Sequence, residues 1–172
     1  GAMGGRSSHE FMVLADAGED GIVECDACAY AANLEKAEGR SEAPWTRDEA
    51  PAEPVSTPGR RTIADVAAFL NMAPSRFIKT LIVLADGEPK AALVPGDRDI
   101  NERKLALALG AAELTMADDA TVERVTGAPV GYAGPVGCRL PLVADLRLQG
   151  ASGAATGANE TDTHLLHVDL ER

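Results

Sequence analysis

Aromatic side chains are scarce in this chain: they make up 3% of its 172 residues, with one Trp, two Tyr and three Phe. A core must therefore be built from Ala, Val, Leu and Ile, and apolar residues that small suit the close layers of an α/β domain. Cysteine is scarce too, and its three copies are an odd number. That excludes a disulfide framework and points to a reducing compartment, the cytoplasm. No apolar run approaches the ~18 residues that would suggest a membrane span. The start lacks a basic stretch followed by an apolar one, so no secretory leader is expected, and Gly1, Ala2 and Met3 read as a protease remnant and start residue outside the fold. Positive charge is also short, with 16 Lys and Arg against 27 Asp and Glu, a net of −11. Residues 1–60 carry 5 basic and 12 acidic side chains, and residues 61–172 carry 11 and 15. Neither portion is a basic platform, which argues against non-specific grip on a nucleic-acid backbone. A nucleic-acid substrate must be engaged locally, at an end, or through another domain.

Several catalytic patterns are missing as well. There is no Gly-x-Ser-x-Gly and no Gly-Lys-Ser or Gly-Lys-Thr, so a nucleophile elbow and a Walker-type phosphate loop are excluded. Cys25 and Cys28 form a C-x-x-C, but no second such pair exists to complete a four-ligand zinc site. They read as two ordinary thiols at a strand-to-helix turn. His164-x-x-His167 lies on an expected strand, where alternation sends the rings to opposite faces, so no metal site is expected there. Cys138 has no neighbouring histidine in sequence, and a Cys–His pair would have to be assembled in space.

What is present reads as alternating strands and helices. Residues 9–16 and 21–25 form two short strands around the Gly18–Gly21 turn, and residues 29–38 suit one or two helical turns. From Gly39 to Gly59 the chain is rich in Pro, Glu, Ala and Ser without periodicity and reads as a linker. A boundary near residue 58 follows, with residues 1–58 as arm and linker, too small to hold a core, and residues 59–172 as the folded domain. Thr62 caps a helix whose Ile63, Val66, Phe69 and Leu70 fall at helical spacing, with Asp65 in its first turn. Pro74 and Ser75 open a single turn. Lys79 to Leu84 is a strand with enough apolar length to be buried on both faces, and Asp86-Gly87 turns it into a returning strand, Lys90 to Val94. Asn101 caps a helix over Glu102 to Leu109, ended by Gly110. Leu114 to Ala117 is ambiguous. Asp118 or Asp119 opens a further helix to about Val125, closed by Gly127. Gly131 to Pro135 is a loop, Leu140 to Ala144 a strand ending at Asp145, Ala151 to Asn159 a run of tiny residues, and Thr163 to Val168 a closing strand. The order predicts a mixed-sheet α/β domain, and the two-residue hairpin excludes a purely parallel sheet.

Two features invite a functional reading. Gly131, Gly134 and Gly137 surround Pro135, and Gly150, Gly153 and Gly157 interleave with Ala, Ser and Thr. Such loops are either flexible surface or backbone that closely approaches a ligand and offers it N–H groups. Lys79 is a cation at the start of an otherwise apolar strand, and the ordinary explanation is a lysine whose head reaches solvent.

Taken in order, certain segments resemble a known family. Gly4-Gly-Arg-Ser-Ser-His-Glu-Phe-Met-Val-Leu-Ala-Asp16 and Ile22-Val-Glu-Cys-Asp-Ala-Cys-Ala-Tyr-Ala-Ala-Asn-Leu-Glu35 are similar to the part of bacterial-type prolyl-tRNA synthetases just before their inserted editing domain. Residues 61–172 resemble that insertion, through Phe77-Ile-Lys79-Thr-Leu-Ile-Val, Gly131-Tyr-Ala-Gly-Pro135, Val143-Ala-Asp145, Gly157-Ala-Asn159 and His164. Its superfamily includes freestanding aminoacyl-tRNA deacylases. The resemblance implies a mixed β-sheet, partly closed into a barrel, with helices around it and an N-terminal arm from the synthetase core. It implies hydrolysis of the ester in alanyl-tRNA(Pro), with Lys79 as the catalytic and substrate-binding residue. Asp145 and His164 would shape the pocket, framed by Gly131, Gly134, Pro135, Gly157, Ala158 and Asn159. Editing would need no cofactor or metal, whereas the full-length synthetase would use ATP and Mg. The implied partners are the acceptor end of tRNA(Pro) bearing alanine and the rest of the synthetase, itself a homodimer. Other readings are a deacylase for serine or cysteine and a non-catalytic module binding the tRNA acceptor end.

Overall fold

The computed structural model describes residues 21–37, 39 and 45–171, and the strand expected over residues 9–16 lies outside them. The chain divides into two compact units, Gly1–Gly39 and Arg40–Arg172.

In the first unit β1 (Ile22–Glu24) pairs antiparallel with β2 (Ala31–Asn33). The helical turns expected over residues 29–38 are therefore replaced by a strand and a turn at residues 34–36. Alternating small side chains meet a ready partner strand here, and isolated single turns of helix are unstable by themselves. Cys25 and Cys28 sit in the hairpin turn, between two strands rather than before a helix. The Ala27 N–H donates to Cys25 Sγ at 3.5 Å. That contact first, and Cys28 second, lower the Cys25 thiol below its ordinary value.

Among the described residues the second unit is a mixed sheet of seven strands with three helices. β3 (Glu53–Ser56) lies at one edge, followed across the sheet by β9 (Thr163–Val168), β8 (Ala154–Gly157), β4 (Phe77–Ala85), β5 (Glu88–Pro95) and β7 (Leu142–Ala144), while β6 (Leu114–Met116) pairs with the far half of β4. The β4–β8 and β5–β7 pairs are parallel and the others antiparallel. The mixed sheet is as expected, but its path ends at β3 and β7, so it does not close into the partial barrel that the resemblance implies.

Cap chemistry sets the helices. In α1 (Ile63–Leu70) the Thr62 side chain accepts the Asp65 N–H, and Asn71 ends the helix in the left-handed region at φ 51°. In α2 (Glu102–Leu109) Asn101 accepts from Lys104 N–H and Gly110 closes. In α3 (Asp119–Thr126) Asp118 accepts from Thr121 N–H and Gly127 closes. Each side-chain cap satisfies a backbone donor that the helix itself leaves unpaired, worth ~1 kcal/mol.

Small apolar side chains fill both faces of the sheet. Val66 and Ala67 of α1 pack on Phe77 and Ala155, with Leu166 beside them. The opposite face carries Ile78, Leu93, Leu148, Ala151 and Ala154, with Trp45 and Leu170 against them, and Ile82, Ala91 and Val122 further along.

The stretch read as a linker packs with the second unit, which begins at Arg40. β3 pairs with β9 over four residues, Thr57 is fully buried, and Trp45 Nε1 donates to the Arg147 carbonyl at 2.9 Å. The Pro- and Glu-rich composition of this stretch hid an edge strand, a sheet position that tolerates proline. The tiny residues at Ala151–Gly157 are no flexible surface either. All seven are buried, and Ala154–Gly157 form a central strand. Side chains that small let a strand lie flush against layers on both faces.

Candidate functional site

The sheet register brings the candidate residues into one band. On β9, His164 pairs with Gly157 of β8. β8 runs parallel to β4 with Ile78 opposite Thr156, so one residue further Lys79 lies level with Gly157. Lys79 in turn pairs with Val94 of β5. Leu93 of β5 pairs with Ala144 of β7, and its carbonyl accepts the N–H of Asp145 at 2.9 Å. His164, Gly157, Lys79 and Val94 thus share one face, the face on which α1 packs, because paired positions point the same way. Lys79 is central, about two strand spacings, ~10 Å, from His164 on one side and from Asp145 on the other.

Lys79 reaches out of this face. Its side chain is 23% exposed, and Nζ meets Asp99 Oδ1 at 3.0 Å. The Asp99 side chain is 99% exposed, so the pair is screened by solvent and easily exchanged for another anion. The pairing places an exposed carboxylate on the cation of the band.

His164 is held from below. It is buried, and its Nδ1 shares a 2.6 Å hydrogen bond with Thr57 Oγ1. Burial pushes the imidazole below its ordinary value, so it is neutral near pH 7. Its ring lies edge-on to Tyr132, with centroids 5.7 Å apart. Asp162 ties the surroundings together. Its carboxylate accepts from Tyr132 Oη at 2.6 Å and from the Gly59 N–H at 2.8 Å, and its carbonyl accepts the Thr57 N–H at 2.7 Å. The Tyr132 phenol and then the Gly59 N–H lower the Asp162 carboxyl, while burial and then that carboxylate raise the Tyr132 phenol.

The two glycine loops meet each other. Asn159, in the left-handed region at φ 56°, accepts the Gly134 N–H at 2.9 Å and donates to the carbonyls of Gly134 and Val136 at 3.0 and 2.9 Å. A Cβ on Gly134 would strike the Gly157 carbonyl, and one on Gly157 would strike the carbonyls of Tyr132 and Ala133. Absence of side chains at both places lets one backbone lie on the other. Pro135 is buried beside this junction, and Ala158 links it to β9 through its N–H on the Thr163 carbonyl at 3.3 Å. Gly131, at φ 102°, presses on Arg61.

Asp145 caps a short turn over Leu146–Leu148. Its carboxylate accepts the Arg147 N–H at 2.8 Å and faces that residue's guanidinium at 3.5 Å. Among the described residues no group of three or more His, Cys, Asp or Glu could hold a metal ion. His167 turns to Asp48 (2.6 Å) and Cys138 packs beside Val122, so neither His164 nor His167 assembles a Cys–His pair with Cys138. Two surface concavities, of about 330 Å³ between Val125–Gly127 and Gly137–Arg139 and about 530 Å³ along α1, do not contain Lys79, Asp145 or His164. Thr57, Asp162 and Arg61 are the neighbours that reading the sequence misses, while Tyr132 lies within the Gly131–Pro135 segment that the resemblance singled out.

Comparisons with known proteins bear on this geometry. Residues 57–171 match the sequence profile of the aminoacyl-tRNA editing domain. The whole chain aligns with proline–tRNA ligases, at 57% identity for that of Geobacter sp. (strain M21) and 54% for that of Geobacter sulfurreducens. It spans 30% of the length of each. Among solved structures, a hypothetical protein superimposes with a TM-score of 0.60 at 29% identity, covering 67% of this chain and 79% of the other. A putative trans-editing enzyme for prolyl tRNA synthetase superimposes with a TM-score of 0.59 at 22% identity, over 66% of this chain and 74% of the other, and shares the fold.

Proposed function

The chain belongs to the aminoacyl-tRNA editing domain family, and from that premise we propose that it hydrolyses the ester of alanyl-tRNA(Pro) as the editing part of a prolyl-tRNA synthetase. The observation that carries the reading is the band itself, with one cation, Lys79, at its centre between the buried, neutral His164 and the Asp145 turn. A synthetic site for proline discriminates poorly against alanine, because missing methylenes are worth little in binding. A second site that admits only the smaller residue removes the error.

In this mechanism the terminal nucleotide lies along the band. A phosphate oxygen replaces Asp99 on Lys79 Nζ, a charge-assisted contact stronger than the screened ion pair. Neutral His164, fixed by Thr57, borders the bound nucleotide without adding charge. Water attacks the ester carbonyl, the carbonyl–oxygen bond to the ribose breaks, and the ribose oxygen takes up the proton. The ribose 2′-hydroxyl orients the water. Free alanine and uncharged tRNA leave. No side chain serves as nucleophile and no metal is required. The rest of the synthetase, in the cytoplasm, supplies most tRNA affinity, and ATP and Mg belong to its aminoacylation chemistry.

The test is deacylation of alanyl-, cysteinyl- and prolyl-tRNA(Pro) by the purified protein. Alanyl-tRNA(Pro) should be hydrolysed and prolyl-tRNA(Pro) spared, since a methyl-sized space cannot take a pyrrolidine ring without strain. Equal rates on both would refute size selection, and no hydrolysis of any would refute the enzymatic reading.

A further inference from the structure

The chain is acidic, yet next to the candidate site two consecutive arginines stand on aromatic rings. The Arg61 guanidinium lies 5.9 Å from the centroid of the buried Tyr132 ring, whose edge meets His164. The Arg60 guanidinium lies 5.1 Å from the centroid of Phe69, one helix length away on α1. Phe69 is 47% exposed and Arg60 is exposed as well. Of the three arginine–aromatic pairs among the described residues, only this one has both members at the surface; Arg76 on Trp45 lies against the core. The corner presents an exposed guanidinium stacked on an exposed aromatic ring, continuous through Arg61 and Tyr132 with the His164 end of the band.

We propose that Arg60 and Phe69 form the landing surface for the single-stranded 3′ end of the RNA, just upstream of the terminal nucleotide. This rests on the reading of the band as an aminoacyl-tRNA site. Proteins hold single strands by stacking bases on aromatic rings while cations follow the phosphates, and a guanidinium beside the ring adds a cation–π contact. One base lies on the free face of Phe69, and Arg60 turns from the ring to the adjoining phosphate. Arg61, pinned between Gly131 and Tyr132, marks the path towards His164 and Lys79. Such a contact gives grip without sequence preference, because every base has a π-face. It also answers the charge problem, since an acidic domain needs cations only where the strand enters.

The experiment measures binding and hydrolysis separately. Binding is read by fluorescence anisotropy with an acceptor-stem RNA hairpin carrying a four-nucleotide 3′ overhang, against the same hairpin with a blunt end. Hydrolysis is read with the alanyl-charged hairpin. Phe69→Ala and Arg60→Ala should each weaken overhang binding about tenfold, and raise KM for the charged hairpin with kcat within twofold. Arg60→Ala should also make the log-affinity against log-salt slope shallower by ~0.7, one phosphate contact, while Phe69→Ala leaves it unchanged. Phe69→Trp should restore binding. Parental binding by both variants, or equal affinity of the parent for overhang and blunt hairpins, overturns the proposal. Lack of hydrolysis by the parent, with overhang binding intact and sensitive to Phe69, would instead remove the enzymatic reading and leave the landing surface standing.

Discussion

Replacing Gly134 with Ala adds one methyl group, and the structure makes it costly. Gly134 has no left-handed backbone, so alanine meets no conformational penalty there. The cost is steric, because the new Cβ would overlap the Gly157 carbonyl oxygen, a backbone atom of a central strand that cannot move aside. The loop must lift instead, and lifting breaks the bonds that hold it. Asn159 loses its contacts with the Gly134 N–H (2.9 Å), the Gly134 carbonyl (3.0 Å) and the Val136 carbonyl (2.9 Å). At ~1 kcal/mol net for each bond, the substitution should cost about 2–4 kcal/mol. For a domain of this size that corresponds to a fall in Tm of roughly 5–15 °C. Gly137→Ala is the matched control. Gly137 is left-handed, φ 73°, with nothing within 4 Å of an added Cβ, so it pays only the backbone penalty of ~1–2 kcal/mol. Thermal unfolding by circular dichroism, with urea titration alongside, ranks the two. If Gly134→Ala melts with the parent, or no lower than Gly137→Ala, the loop-on-loop packing does not hold the site as argued.

Other expectations follow from the same contacts. Lys79→Ala should cut alanyl-tRNA(Pro) hydrolysis at least a hundredfold while leaving Tm nearly unchanged, because its ion-pair partner among the described residues, Asp99, is at the surface; Lys79→Arg should rescue partly, since a forked guanidinium does not replace a point charge. Parental hydrolysis by the alanine variant would dissolve the site assignment. A chain beginning at residue 40 should fold, whereas one beginning at residue 59 should lose its cooperative transition, as it lacks β3, Thr57, Trp45 and the Asp48–His167 contact; equal melting of the two would show that the edge strand is dispensable. The stability contributed by buried, neutral His164 is fully present above the unfolded-state value of about 6.5 and is lost as pH falls through its lower folded value. Urea unfolding at pH 7.5 and 5.5 should therefore show a smaller acid loss in His164→Gln than in the parent, and identical losses would mean the ring titrates freely in the fold.

The chain's own pattern determined a good part of this protein. Helical spacing with a side-chain cap before it and a glycine after it located α2 and α3, and α1 differs only in ending on Asn71, because these signals act within one turn of backbone and need no distant partner. Asp86-Gly87 located the β4–β5 hairpin for the same reason. Family resemblance singled out Lys79, Asp145 and His164, but nothing in their spacing along the chain says that one band holds them. That follows from register, through a parallel β4–β8 pair joining segments nearly eighty residues apart. Long-range pairing also decided what composition misread. Pro and Glu at residues 53–54 resemble a linker until β9 offers its edge, and the Ala–Gly run at 151–157 resembles a flexible loop until neighbours on both faces bury it. Thr57 became the support of His164 only because the two strands carrying them lie side by side. A cap or a turn is a local minimum of the backbone, whereas an edge strand, a buried glycine strand and a supported histidine exist only when distant chain arrives to satisfy their hydrogen bonds.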